Sequence, residues 1–342
     1  MAYGFTKTLP TITGSHTDYI LQLKTADFPA ASIDGTANAF ANGGGDMIAY
    51  EDDTKAVQLP LHIKEFVSSG TPSADVRIKL DASTGATVYL EADTVQTSQP
   101  AVGSTYGRDA VYSNTEYSLQ YDTASAVDAS GKTSPTTSGS PTSDGESLDF
   151  DGTNDRVDVP DSTATRLQSI FSLYADADPT DANQSYYFWK RGGTNDGFAL
   201  RYDAANTRLR FSLFGISAYN SSSITISSRT KVWATINGTT LKFYANGSQV
   251  GSNITISATR TTAAVDTHVG AKTDDFGTID GYSEQQMWES RFYTDEISAD
   301  RIAALDDNYT SSSWGTSSAW VDSGSGPTIP ILQYYYSRLR NG

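Results

Sequence analysis

Two Asn-Gly dipeptides, Asn237-Gly238 and Asn246-Gly247, cut the stretch from Lys231 to Val250 into three short apolar-rich runs. Asn-Gly between such runs is the strongest short-range hairpin signal, because both residues tolerate positive φ. The run between them, Thr239 to Ala245, has the length of an ordinary strand and falls short of a stable helix. The spacing predicts an antiparallel meander with its turns at the two dipeptides. Any functional site must then be built on a β background.

Composition agrees with that background and removes several function classes. Only 19% of residues are charged and 37% hydrophobic, while 20 Tyr and 28 Gly point to sheets joined by many turns. A length of 342 residues accommodates two domains of roughly 100 to 200 residues each. The formal net charge of -16 argues against a nucleic-acid partner, which would need clustered Lys and Arg. With no cysteine in the chain, disulfides, thiolate metal sites and cysteine nucleophiles are excluded. No segment approaches the roughly 18 apolar residues of a membrane span, so no membrane insertion is expected. The opening MAYGFTKTLPTITG lacks a signal-peptide pattern, so synthesis and folding in the cytoplasm are expected, with display outside a cell only as part of an assembled particle.

Along the chain, Tyr19–Leu23, Val57–Leu59, Leu61–Ile63, Val76–Leu80 and Val88–Leu90 are short runs of largely period two, separated by Gly, Asp, Ser and Pro. They predict a small β-sandwich. From Asp122 to Glu146 the sequence is polar and rich in Ser, Thr and Gly, fitting either a flexible linker or a long ordered loop. Strand patterning resumes at Ser147 and continues through Tyr186–Trp189, Phe198–Tyr202, Leu209–Leu213 and Ile224–Ile226 into the meander, predicting a second, larger sandwich. One helix is expected after Ser298, which serves as N-cap, with Asp300 in the first turn and Ile302 and Leu305 on one face.

The order of these later runs, SLDFDGTNDRVDVPD (147–161), FWKRGGTNDGFALRYD (188–203), the meander, VGAKTD (269–274) and MWESRFYTDEISADRIAALDDNY (287–309), resembles a LamG-like, concanavalin A-type jelly roll in its phage form. The resemblance covers about residues 112–309. The first half resembles a DUF2341-type domain through YGFTKTLPTI (3–12), DMIAYEDDTKAVQLPLHIKEF (46–66), VRIKL (76–80), TVYL (87–90) and YGRDAVYS (106–113). It departs from that type at His62, where an acidic residue is usual, and at Glu91-Ala92-Asp93, which replaces Tyr-Gly-Asn. The two resemblances imply an all-β chain of two sandwiches, a small one over 1–110 and a jelly roll with one short helix over 111–310; the apolar and aromatic composition of the remainder predicts a C-terminal docking segment over 311–342. They also imply that Tyr112 to Asp122 forms the first strand of the jelly roll, and that the polar stretch after it is an ordered excursion within that domain.

Related jelly rolls include glycoside hydrolases, whose retaining members carry Glu-x-Asp-x-(x)-Glu on one strand; no such run occurs here. The nearest pair, Glu284 and Glu289, is five residues apart and so faces opposite sides of a regular strand. His16, His62 and His268 share no ligand spacing, and no catalytic residue is assigned. Asp149, Asp151, Asn154 and Asp155 crowd a Gly-containing turn, with Asp280 in a second acidic loop. Such oxygens suit calcium, and the resemblance implies one structural Ca2+; the same residues also suit a turn whose Asx side chains cap their own backbone. For sugar binding the candidate platforms are Tyr186, Tyr187, Trp189 and Tyr219, against the alternative that strand aromatics are packing residues; Trp233 is assigned to the core. The sequons at Asn237 and Asn246 follow from turn chemistry.

Together these readings predict a non-enzymatic phage virion surface protein, a capsid decoration or tail accessory, with a lectin-like domain that contacts host surface glycans. The alternatives are a cellular carbohydrate-binding or adhesion module, a decoration protein without a ligand, and a glycoside hydrolase with an unrecognised site. Other virion proteins and a homo-oligomer are the expected partners. The basic, aromatic C-terminus, with Ile331, Tyr334, Tyr335, Tyr336, Arg338 and Arg340, is expected to pack on the first domain or on a neighbouring subunit and so serve assembly.

Overall fold

The computed structural model of the chain describes residues 3–93, 95–166, 169–180, 184–257, 263–274, 278–311 and 313–322. Among them strands predominate, and the α-helices are Arg108–Val111 and Ala299–Thr310. The chain forms two compact units: one holds residues through Val111 together with those from Asn308 onward, and the other is Tyr112–Asp307.

The first unit has two antiparallel sheets. In the larger, Thr316–Ser317, Tyr3–Thr8, Thr87–Ala92, Met47–Tyr50 and Gln58–Leu59 lie side by side, and Val321–Asp322 also pairs with Tyr3–Thr8. The smaller places Ser73–Ala82 between His16–Lys24 and Leu61–Val67. Phe5 of the larger sheet and Phe66 of the smaller meet through Phe28, at centroid distances of 5.7 and 5.5 Å. Period-two patterning thus has its usual cause: alternate residues bury one face of each strand.

Residues after the second unit complete this first sheet as strands. Trp314 stacks on Tyr19 at 6.0 Å, and Trp320 packs against Phe40 at 4.8 Å. Asp27 ties the returning segment down: its Oδ1 accepts from Lys7 Nζ at 2.5 Å and from Trp314 N at 3.1 Å, with both ionic side chains buried. The proposed assembly residues Ile331, Tyr334, Tyr335, Tyr336, Arg338 and Arg340 lie outside the described residues.

The second unit is a sandwich of a ten-stranded and a seven-stranded antiparallel sheet, with the separate hairpin Ala271–Thr273/Ile279–Tyr282. The ten-stranded sheet centres on Glu284–Tyr293, Ile170–Pro179, Thr230–Asn237 and Thr240–Ala245. The seven-stranded sheet runs Thr136–Ser138, Arg156–Val159, Thr267–Val269, Gln184–Gly193, Asp196–Asp203, Arg208–Leu213 and Ser217–Asn220. Its core draws on both layers: Phe171, Leu173, Ile236 and Phe292 from one meet Phe188, Phe198, Leu200 and Phe211 from the other. Each such side chain contributes about 1.5–3 kcal/mol by leaving water.

The polar stretch 122–146 is an ordered excursion. Val127–Asp128 pairs with Thr115–Gln120, Thr136–Ser138 joins the seven-stranded sheet, and Thr142–Ser143 returns to the ten-stranded one. Buried Asp128 organises it by accepting from the amides of Ser118, Ser130 and Thr133. Ile224–Ile226 is not a strand; Ile224 N bonds Thr207 O, Ile226 N bonds the Tyr202 hydroxyl, and Ile226 is buried in the core. Trp233 is buried as expected, yet it lies on the opposite face from its core neighbours Val232 and Ala234, against Tyr174 at 4.5 Å. Ser298 caps the helix through its Oγ, which accepts from Arg301 N at 3.2 Å, and Ile302 and Leu305 are buried.

Candidate functional site

The strand Gln184–Gly193 carries four consecutive aromatics, which strict alternation would split evenly between faces as odd and even positions. A β-bulge changes that. Tyr186 pairs with Arg201 and Phe188 with Leu200, leaving Tyr187 as the extra residue, so Tyr187 and Phe188 both enter the core. Tyr186 and Trp189 emerge together on the outer face with Ala199 and half-buried Phe214.

Cross-strand register lays out that face in rows. One reads Asp158, His268, Trp189, Ala199, Ser212, Ala218; the next reads Tyr186, Arg201, Arg210, Asn220. The small residues Ser212 and Ala218 leave a depression between the arginines on one side and Trp189 and Phe214 on the other. The result is an open groove of about 370 Å³ lined by Trp189, Arg201, Arg210, Ser212, Phe214 and Ala218, with the exposed loop through Gly215 and Ile216 at its edge. Trp189 is locked in place: its Nε1 donates to Thr273 Oγ1 at 3.2 Å, and its ring meets Tyr186 at 5.5 Å and Phe214 at 5.0 Å. The Arg191 guanidinium lies 4.5 Å over the Phe214 ring.

This geometry revises the aromatic candidates. Tyr187 is withdrawn as a glycan platform, because its ring is wholly inside the core. Tyr219 pairs with Phe211 on the core-facing side, and its hydroxyl accepts from Ser257 N at 3.1 Å. Tyr186 and Trp189 are each 6% exposed, so neither offers an open stacking face; Trp189 lines the groove and Tyr186 packs behind it. Sequence reading missed Phe214, Arg201, Arg210 and the pair His268 Nδ1–Asp158 Oδ1, 2.7 Å apart in the same row as Trp189. Only register assembles these, and register is set by partner strands far away in sequence.

The acidic turn behaves as a self-capped turn. Asp151 Oδ1 accepts from Thr153 N at 2.8 Å, Asp155 Oδ2 from Asp151 N at 3.0 Å, and Asp155 Oδ1 from Ser140 N at 2.7 Å. Asp149 faces outward, its carboxyl raised above the ordinary value by desolvation and by Asp155, Asp144 and Asp151. Asp280 is in the separate hairpin, 3.5 Å from Lys272. Among the described residues no three acidic or imidazole side chains converge as a metal site. Of the calcium candidates, Asp151 and Asp155 thus spend carboxylate oxygens on backbone amides, and Asp280 lies in the separate hairpin.

A second bulge corrects the reading of Glu284 and Glu289. Asp176 pairs with Glu289 and Ala177 with Met287, so Trp288 is the extra residue, and Met287 and Phe292, five apart, both reach the core. Glu284 and Glu289 consequently share the outer face. They stand roughly 13 Å apart along the strand at ~3.3 Å per residue, against the roughly 5–9.5 Å that glycoside hydrolysis needs. Glu289 is buried and held by Arg291 Nε at 2.7 Å, Ser118 Oγ at 3.2 Å and Gln120 Nε2.

Residues 151–303 match the family model of the concanavalin A-like lectin/glucanases superfamily. No curated protein sequence matches the chain. Among solved structures it is similar to the botulinum neurotoxin serotype C1 binding domain, with 16% identity, 60% of this chain and 55% of that chain covered, and a TM-score of 0.48. A botulinum neurotoxin type C structure concerned with two ganglioside molecules gives 14% identity, 60% and 55% coverage, and a TM-score of 0.47. A Trypanosoma rangeli sialidase with 2,3-difluorosialic acid gives 15% identity, 57% and 33% coverage, and a TM-score of 0.43. The chain spans about half the length of the first of these solved chains, 55%. The family match and the two packed antiparallel sheets identify the unit Tyr112–Asp307 as a lectin-like jelly roll of the concanavalin A type.

Proposed function

We propose that this chain is a non-enzymatic carbohydrate-binding protein whose jelly roll holds a glycan in the groove on the outer face of the seven-stranded sheet. The observation that carries the reading is the groove itself: a floor of small residues, an aromatic wall and a wall of planar donors. Sugars are held in this way, by apolar ring faces against aromatics and by directional hydrogen bonds from fixed polar groups. The wide separation of Glu284 from Glu289, and the engagement of Glu289 with Arg291, support binding without hydrolysis.

Titration of the full chain with oligosaccharides, followed through tryptophan fluorescence, tests the reading. Binding that is lost in Phe214→Ala supports it, whereas release of reducing ends from the bound sugar would replace it with a hydrolase. The display of this protein on a phage particle, with other virion proteins as partners, is the part of the proposal supported by the resemblance of the closing strand and helix, residues 287–309, to those of phage jelly rolls. Mass spectrometry of purified particles decides it, and absence of the chain from them would sink that part alone.

A further inference from the structure

The glycan reading does not by itself account for two arginines. Arg201 and Arg210 are directly opposed across neighbouring strands, where like charges repel. The chain has 40 acidic residues against 24 Lys and Arg, and other guanidiniums of this sheet use them: Arg156 sits 2.9 Å from Asp158, and Arg208 sits 3.6 Å from Asp203. Among the described residues no carboxylate pairs with Arg201 or Arg210, and the Nε of each is buried without an acceptor. Arg201 does donate through one terminal nitrogen to Gln184 Oε1, a neutral amide, and Asp203 attracts it only from beyond ion-pair distance. Burial and the neighbouring Arg210 lower the Arg201 pKa, the direction expected of crowded cations.

We propose that the groove takes an acidic sugar, with the carboxylate of a uronic- or sialic-type residue received by Arg201 and Arg210. This rests on the glycan reading and narrows its ligand class. Guanidinium presents a planar fork that matches a carboxylate bidentately, and the charge-assisted bonds strengthen in a partly desolvated groove. The same anion would remove the repulsion between the two arginines. Ser212 and Ala218 leave room beside them for the pyranose ring, whose apolar face would meet Phe214.

The test is an array of carboxylated, sulfated and neutral oligosaccharides probed with the full chain and with Arg201→Gln, Arg210→Gln and Arg210→Lys. Carboxylated glycans are expected to bind, to weaken at least tenfold in either Gln variant, to recover partly in Arg210→Lys, and to weaken with added salt. The Gln variants should melt no lower than the parent, since each relieves a like-charge contact, so loss of binding is separable from loss of fold. Neutral glycans bound equally by parent and Gln variants would overturn the acidic-sugar inference and leave the glycan reading standing. Selective binding of sulfated glycans would replace carboxylate with sulfate ester, and binding of no glycan would overturn both readings.

Discussion

His62 shows how a single side chain stores a pH response in this fold. It lies on Leu61–Val67 opposite Arg77, and burial, then the charges of Arg77, Arg108 and Lys64, outweigh Asp75 and depress its pKa from 6.5 to about 4. The unfolded chain therefore binds a proton that the folded chain refuses. Stability is full above pH 6.5, falls as the pH drops from 6.5 toward 4, and changes no further from this group below that. The loss is on the order of 3 kcal/mol, and urea midpoints across this window should flatten in His62→Gln. Asp75 acts lower on the scale: burial raises it, Arg77 and Lys64 more than offset that, and the carboxyl is held at about 2, so its contribution is lost between pH 3.8 and 2. Asp155 carries a second residue-level prediction. Asp155→Ala strands the amides of Ser140 and Asp151 and should cost about 1–3 kcal/mol, while a chelator should leave the melting temperature of the parent unchanged. A chelator-induced fall would instead assign a structural calcium to this turn. The turn itself was legible from DGTND because Asx capping is local chemistry; the use of its oxygens was not, since Ser140 comes from the loop between Thr136–Ser138 and Thr142–Ser143.

At the scale of elements, the two Asn-Gly hairpins divide what is readable from what is not. Asn246-Gly247 forms the expected two-residue turn, with φ of 45° and 76° between paired Ala245 and Ser248. Asn237 instead stays in its strand, paired with Thr240, so the loop is Gly238-Thr239. Its side chain donates to Glu296 Oε2 at 2.6 Å, a partner that no local rule supplies. Gly247→Ala should cost at least about 1 kcal/mol, because an L-residue is strained at that φ and the added Cβ would stand 3.3 Å from Asp306 Cβ. An unchanged urea midpoint would refute this account of the turn. Bulges were the larger loss to sequence reading. At Tyr187 and Trp288 one inserted residue reverses the facing of all that follows, which removed Tyr187 from the candidate surface and put Glu284 and Glu289 on one face. Periodicity detects strands, and a bulge is decided by the partner.

At the scale of the whole molecule, the all-β class and the jelly roll were legible because alternation, turn residues and strand order are all written locally. A docking segment over 311–342 was expected, but its edge strands were not legible, since 314–322 has little patterning and its partners are some three hundred residues away. The return of the chain to its first unit has a thermodynamic consequence. The jelly-roll core is drawn entirely from residues 117 to 292, so it does not depend on the later residues. The first unit does: removing the segment exposes the edge of Tyr3–Thr8, strips Trp314 from Tyr19 and Trp320 from Phe40, and leaves buried Asp27 without the Trp314 amide. Burial of two indoles and a strand edge is worth several of the roughly 5–15 kcal/mol that stabilise a typical domain. Truncation after Ser311 should therefore unfold or sharply destabilise the first unit while the jelly roll keeps its own transition in calorimetry. Truncation after Asp322, which spares both indoles and both strand pairings, should leave the first transition in place. Equal melting of the first unit in the two truncations would show that the returning strands add nothing to its stability.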